Sequence, residues 1–206
     1  VVENTPNMFV LMGGDLIDGF SPAKHPTAMS GDAITPDLQT EAMVEKLKEL
    51  DRANKLVGVQ VGNHDLWADI AGYSFEQFLS ELKCPVYAAG GRLDLHIVNE
   101  LYKIYWSHTH TGSSKINLTN AAKNVFRMTD PDAEIALLGH THQSSAEIYD
   151  AGGKTKLAIV GGTYKLNDSL GKRWGLGKPG SPGITLLFWP GTHHFEVVKD
   201  PRIAGE

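Results

Sequence analysis

Short apolar runs interrupt an otherwise mixed pattern along the chain, and four of them stop abruptly at a cluster of polar residues. Their length and their content of β-branched and aromatic side chains predict buried strands. Between the first two runs, apolar positions recur with helical spacing, and Thr35 with Pro36 predicts where this helix begins. A strand, a helix and a second strand in this order predict a parallel pair. The four runs cover positions 8–12, 56–61, 104–106 and 135–138.

The second half of the chain is richer in alternating apolar positions and in turns that contain Gly. This pattern predicts a β-rich half after an α/β half, and so an α/β fold in a single domain that covers 1–206. A short helical pattern covers 118–126. Further strands are predicted near 93–97, 101–106, 145–150, 156–160, 184–188 and 194–198.

Each of the four apolar runs leads directly into side chains that can bind metal ions. Ligands of open α/β sheets bind beyond the carboxyl ends of the strands, so we expect these side chains to gather at one edge. Carboxylate, amide and imidazole groups together fit Mn, Fe or Zn, and they differ from an all-oxygen calcium or magnesium site. The clusters are Gly14-Asp15, Gly62-Asn63-His64-Asp65, Ser107-His108-Thr109-His110 and Gly139-His140-Thr141-His142.

This donor set is typical of a metal-dependent hydrolase site, and its parts suit hydrolysis of a phosphoester. The carboxylate of Asp15 is suited to bridge two ions, because each of its oxygens can bind one. Two ions about 3.5–4 Å apart can hold a hydroxide and clamp the oxygens of an in-line displacement. His64 is suited to give a proton to the leaving alkoxide, and we expect the adjacent Asp65 to orient its ring and favour its protonated form.

In combination and in this order, the four motifs resemble those of the calcineurin-like metallophosphoesterases. The matching patterns are Gly-Asp-x-x-Asp at 14–18, Gly-Asn-His-Asp at 62–65, His108 at a strand end and Gly-His-x-His at 139–142. The resemblance implies a four-layer sandwich of two mixed β-sheets flanked by helices. It also implies a centre of two divalent ions (Mn, Fe or Zn) that hydrolyses phosphomonoesters or phosphodiesters by a metal-activated hydroxide.

Site residues follow from the resemblance position by position. It implies that Asp15 bridges the ions and that His142 binds one of them. The other ion is completed by Asn63, His108 and His140. His64 would be the general acid with Asp65 behind it, and Asp18 would support the loop. His110 is the alternative to His108, which we prefer because it follows the apolar run directly; His110 would then contact substrate or be exposed.

One motif of this family has no counterpart in the chain. The family normally begins with Asp-x-His on an earlier strand, but the fourteen residues before Asp15 contain neither Asp nor His. We therefore expect that a first strand is missing from this sequence and that one metal position is weakened. A non-catalytic scaffold with a degraded metal site is an alternative on the same ground.

Composition and charge limit the classes of binding partner and the cellular compartment that we expect. A net charge of −5 argues against a general polyanion-binding surface, so a DNA nuclease of the same superfamily is a second alternative and nucleic acid is not indicated. No apolar run has the length of a membrane span. A single cysteine, Cys84, excludes an internal disulfide and fits a reducing compartment such as the cytoplasm. Lys165, Lys172 and Arg173 form a basic loop that either reaches a phosphate or stays solvated.

Overall fold

The computed structural model describes residues 2–19, 34–67, 75–164 and 183–198. The chain divides into two compact units, Val1–Ala89 and Gly90–Glu206. Parallel and mixed sheets occur together with helices, so the predicted α/β class is confirmed. The predicted basic loop with Lys165, Lys172 and Arg173 lies outside the described residues. None of the helices in the described ranges is long and apolar enough to cross a membrane.

The first unit contains a three-stranded parallel sheet in the order β1-β2-β3. Its long helix begins as predicted, with extended backbone at Thr35 and Pro36 as its first residue, although the Thr35 side chain makes no capping hydrogen bond. The fixed φ of proline and its missing N–H suit that first position. The elements are β1 (Val10–Met12), α1 (Pro36–Arg52), β2 (Leu56–Gln60), α2 (Asn63–Trp67), α3 (Phe75–Leu79) and β3 (Val86–Tyr87).

An apolar core joins helix α1, strand β2 and helix α3. Leu47 and Leu50 of α1, Val59 of β2 and Leu79 of α3 are almost completely buried. Cys84 is half-buried against this core. Burial, with a contribution from the charge of Asp51, raises the pKa of the Cys84 thiol to about 11.

The second unit contains a five-stranded mixed sheet in the order β4-β5-β6-β8-β7. Strand β6 lies parallel to both of its neighbours, and the outer pairs are antiparallel. The last residues of β5 and β6, Ser107 and Leu138, face each other in register. The chain segments that follow these two strands therefore begin side by side. The strands are β4 (Gly91–Ile97), β5 (Glu100–Ser107), β6 (Ile135–Leu138), β7 (Ser145–Ala151) and β8 (Lys154–Val160).

A helix and a hairpin complete the second unit. Helix α4 (Asn120–Asn124) continues into a π-helical turn over Val125–Thr129, where the sequence predicted one ordinary helix over 118–126. Small residues such as Ala122 let the helix pack closely on the sheet. The hairpin consists of β9 (Thr185–Trp189) and β10 (His194–Val198), which pair antiparallel as a separate two-stranded sheet.

Candidate metal centre

In the first unit, the polar segment after β1 meets the start of helix α2. We call Asp15, Gly62, Asn63, His64 and Asp65 the loop cluster. Asp15 has a left-handed backbone with φ of 52° and follows Gly14 at 83°. A non-glycine residue in this region is uncommon and costs about 1 kcal/mol or more, and such residues concentrate at functional sites. This backbone conformation places the Asp15 carboxylate against the start of helix α2.

Gly62 is required by the close approach of Asp15. A Cβ atom on Gly62 would lie 2.1 Å from the backbone nitrogen of Asp15 and 2.2 Å from its Oδ1. Gly62 precedes the first residue of helix α2 and so occupies its N-cap position without a side chain to serve as a cap. Oδ1 of Asp15 instead accepts the N–H of His64 at 2.9 Å, as a capping side chain would. Asn63 is the first residue of this helix and is half-buried.

Asp65 ties the two loops of the cluster together through backbone donors. Its Oδ2 accepts the N–H of Gly62 at 2.8 Å, and its Oδ1 accepts those of Leu16 at 2.7 Å and Ile17 at 3.3 Å. Burial raises the pKa of Asp65 to about 6, and the charge of Asp15 acts in the same direction, although the three backbone donors oppose the shift. Asp65 is thus an anchor of the loop backbone.

The position of the His64 ring corrects one expectation. Nδ1 of His64 lies 2.6 Å from the carbonyl oxygen of Asp18, and the oxygens of Asp65 accept backbone N–H groups. The partner at Nδ1 is therefore a carbonyl and not the Asp65 carboxylate. A carbonyl can only accept, so it assigns the ring proton to Nδ1. Asp18 itself is held by its N–H, which donates to Oε1 of Gln39 at 2.9 Å.

In the second unit, the ends of β5 and β6 bring two imidazole rings together. Nε2 of His108 lies 3.3 Å from Nδ1 of His140, and the rings are nearly perpendicular. The N–H of Gly139 donates to the carbonyl of His108 at 3.1 Å, which extends the pairing of the strands. His108 is buried and His140 is exposed. Two nitrogens at about 2.0–2.1 Å from one tetrahedral ion are about 3.3–3.4 Å apart, so this pair matches the spacing of metal ligands.

The loop between β6 and β7 presents its histidines from a strained backbone. His140 has φ of 70° and His142 of 58°, both left-handed. The hydroxyl oxygens of Thr141 and Ser144 are buried and have no hydrogen-bond partner among the residues that the structure describes. Buried polar atoms of this kind call for a partner such as water or a bound group.

His110 is directed elsewhere. Its Nε2 lies 2.8 Å from Oγ1 of Thr129, which the π-helical turn presents, and its ring meets that of Tyr105 edge-on. The structure therefore brings His108, and not His110, to His140. The sequence did not predict the contact between His110 and Thr129, because no sequence pattern that we considered indicates a π-helical turn.

The donor types fit a transition-metal ion. The second unit offers imidazole nitrogens from His108, His140 and His142. Imidazole suits Zn, Fe and related ions.

Comparison with solved structures finds proteins of low similarity. A single mutant of Vps29 from Entamoeba histolytica is 18% identical over 77% of this chain and 88% of its own length, with a TM-score of 0.39. Wild-type Vps29 from that organism in complex with Zn²⁺ is 17% identical over the same shares, also at 0.39. The Thermotoga maritima protein TM1076 is 13% identical over 92% and 97%, at 0.36. No family model and no curated protein matches. At these values the similarity assigns neither a family nor an activity.

Proposed function

We propose that the chain is a metal-dependent phosphoesterase that acts on phosphomonoesters or phosphodiesters. The observation that carries the proposal is the His108–His140 pair, whose nitrogens lie 3.3 Å apart at the ends of two parallel strands. Buried and exposed imidazoles at this spacing suit an ion that must also be reached by substrate. The sequence order of the motifs supports the same conclusion through its resemblance to the calcineurin-like metallophosphoesterases.

The proposed ligands are Asp15, Asn63, His108, His140 and His142. When bound, divalent ions polarise phosphoryl oxygens and make water a nucleophile at neutral pH. One position has four of these ligands, and the other has only Asp15 and His142. We therefore expect one Mn, Fe or Zn ion to bind more tightly than the second.

Proton transfer is assigned to His64. The carbonyl of Asp18 accepts the proton on Nδ1, so in its imidazolium form the ring can give the second proton, on Nε2, to the leaving oxygen of the substrate and then remains as the neutral Nδ1–H form. Asp65 does not act on the ring in this proposal. It holds the N–H groups of Gly62, Leu16 and Ile17, and so keeps the backbone around His64 in place.

Metal stoichiometry and turnover test the proposal together. The chain is loaded with Mn, desalted and analysed for metal, and then assayed on p-nitrophenyl phosphate and bis-p-nitrophenyl phosphate. His64→Ala should lower kcat about 10²–10⁴-fold and leave metal content unchanged, as expected for loss of a general acid. His140→Ala should lose metal. His110→Ala is the matched control and should retain both.

Two outcomes would contradict the proposal in different ways. Metal binding without turnover on either substrate would support the scaffold alternative, for which the absence of Asp-x-His before Asp15 is the specific observation. Unchanged metal content in His140→Ala would remove the ligand assignment. Turnover on duplex DNA above that on the small esters would favour the nuclease alternative.

A further inference from the structure

The turn between β9 and β10 carries a histidine that lies between two carboxylates. Nδ1 of His193 is 3.0 Å from Oε2 of Glu100, and Nε2 is 2.7 Å from Oε1 of Glu134. Glu100 begins strand β5, and Glu134 directly precedes β6. His193 also has a left-handed backbone, with φ of 46°. One ring thus connects the hairpin turn to two strands of the five-stranded sheet.

Aromatic packing makes this contact a docking point for the hairpin. The His193 ring stacks on Tyr102 of β5, with centroids 4.8 Å apart and planes within 3°. Phe188 of β9 packs against the same tyrosine, at 4.7 Å. The Tyr102 hydroxyl donates to the carbonyl of His194 at 3.3 Å. Tyr102 is completely buried, and these hairpin residues help to shield it from solvent.

Both nitrogens of His193 must carry a proton to satisfy this geometry. Carboxylates accept hydrogen bonds and donate none, so two of them require two ring N–H groups and therefore an imidazolium. In the neutral ring, one nitrogen lone pair would face a carboxylate. Hydrogen bonding to Glu134 is the largest influence that raises the pKa of His193, and the charges of Glu134 and Glu100 act in the same direction against some loss of hydration.

A metal site explains this cluster less well. The two carboxylates lie at opposite edges of the ring, so they do not converge with it on one point. Among the described residues, no group of potential ligands with metal-like spacing includes His193.

We propose that His193 is a proton-operated clamp, which as an imidazolium holds the β9–β10 hairpin on the five-stranded sheet and which loosens that contact when the ring loses a proton. The groups that face it are Glu100 and Tyr102 from β5 and Glu134 before β6. On the hairpin, His194 and Glu196 pair with each other at 3.1 Å. Oε2 of Glu134 accepts the backbone N–H of Lys103, which keeps that carboxylate in position.

The direction of the pH effect follows from the raised pKa. A histidine that binds its proton more tightly when docked contributes stability below its ordinary value of about 6.5. That contribution is lost as pH rises through the raised value. The hairpin should therefore be most firmly docked in mildly acidic solution and loosen on the alkaline side of neutrality.

Amide hydrogen exchange of the full chain tests the clamp. Deuterium uptake of peptides from 185–198 is measured by mass spectrometry between pH about 5.5 and about 8.5, corrected for intrinsic exchange, with β6 and β8 as internal references. We expect hairpin protection to fall about three- to tenfold over this range, as for two partly exposed ion pairs. His193→Gln should show low protection at every pH. His194→Gln is the matched control and should follow the wild type.

Equal pH dependence in the wild type and His193→Gln would overturn the proposal, and so would pH-independent hairpin protection in the wild type. An NMR titration of the wild type keeps the test valid where the variant fails to fold. The His193 ring and the hairpin amides should share one midpoint above the ordinary histidine value. A midpoint at or below about 6.5, or separate midpoints, would exclude the clamp.

Discussion

The two groups of candidate ligands are held in place by different means. In the loop cluster of the first unit, backbone atoms do most of the positioning: Asp15 and Asp65 accept four N–H groups between them, and Gly62 lies against the Asp15 backbone. In the second unit, strand register positions His108 and His140, and the atoms that face Gly90 before β4 belong to side chains. We therefore expect the loop cluster to tolerate substitution less well than the surroundings of His108 and His140.

Backbone positioning leaves little freedom to relax. A peptide that is pushed away from a buried carboxylate breaks its own hydrogen bond and moves the neighbouring residues. A side chain can rotate about its own bonds at a much lower cost. Substitutions that add a single methyl group should therefore separate the two groups clearly.

Gly62→Ala should have the largest effect. The new Cβ would overlap the backbone nitrogen of Asp15, and no rotation can relieve this, so we expect a loss of about 3 kcal/mol or more in the free energy of unfolding. Urea unfolding measures this loss, and bound metal should fall with it. Gly13→Ala in the same loop is the control, because a Cβ there meets nothing within 4 Å. Similar stability of both variants would contradict the close approach of the two loops.

Asp65→Asn should have a smaller effect that depends on pH. An amide cannot accept all three N–H groups with the same geometry, so we expect about 2 kcal/mol of destabilisation at pH about 4.5. The folded-state pKa of Asp65 is raised to about 6, so the wild type loses stability as pH rises from about 4 to about 6. The difference between the two proteins should therefore narrow toward pH about 7. Urea unfolding in EDTA measures this difference in the free energy of unfolding. A difference that widens with pH would mean that folding lowers the pKa of Asp65 and does not raise it.

Gly90→Ala should have the smallest effect of the three. A Cβ at this position would approach Oγ and Cβ of Ser107 and the hydroxyl of Tyr105, at 2.6–2.8 Å. Oγ of Ser107 can rotate away if it gives up its hydrogen bond to the carbonyl of Thr109 at 2.7 Å, and the exposed Gly90 can shift slightly from Cβ of Ser107 and the Tyr105 hydroxyl. We expect a loss of about 1 kcal/mol, the net value of one hydrogen bond, with metal binding retained. A loss as large as that of Gly62→Ala would remove the distinction between the two groups.

The sequence predicts most of the elements because their signals are local. The apolar run before Gly62 and the Pro36 start of helix α1 needed no information from distant residues. The preference for His108 over His110 rested on its place directly after a strand. The register of β5 and β6 explains why that criterion chose the ring that meets His140.

The contacts inside the loop cluster could not be predicted in the same way. The partners of Asp65 at Leu16 and Ile17 are 49 and 48 residues away in sequence, and they are backbone atoms that carry no residue identity. The carbonyl at Nδ1 of His64 also comes from a distant loop. Adjacency of His64 and Asp65 in sequence therefore led to the wrong pairing. On a short helix, successive side chains point in different directions.

The single cysteine gives this protein a chemical reporter of its own. Only the thiolate reacts with disulfide or maleimide reagents, and a pKa near 11 leaves very little of it in the folded first unit. Opening of that unit would expose Cys84 and restore its ordinary acidity. Its labelling rate would therefore record how often the first unit opens. Each molecule can be labelled once, and no engineered probe is needed.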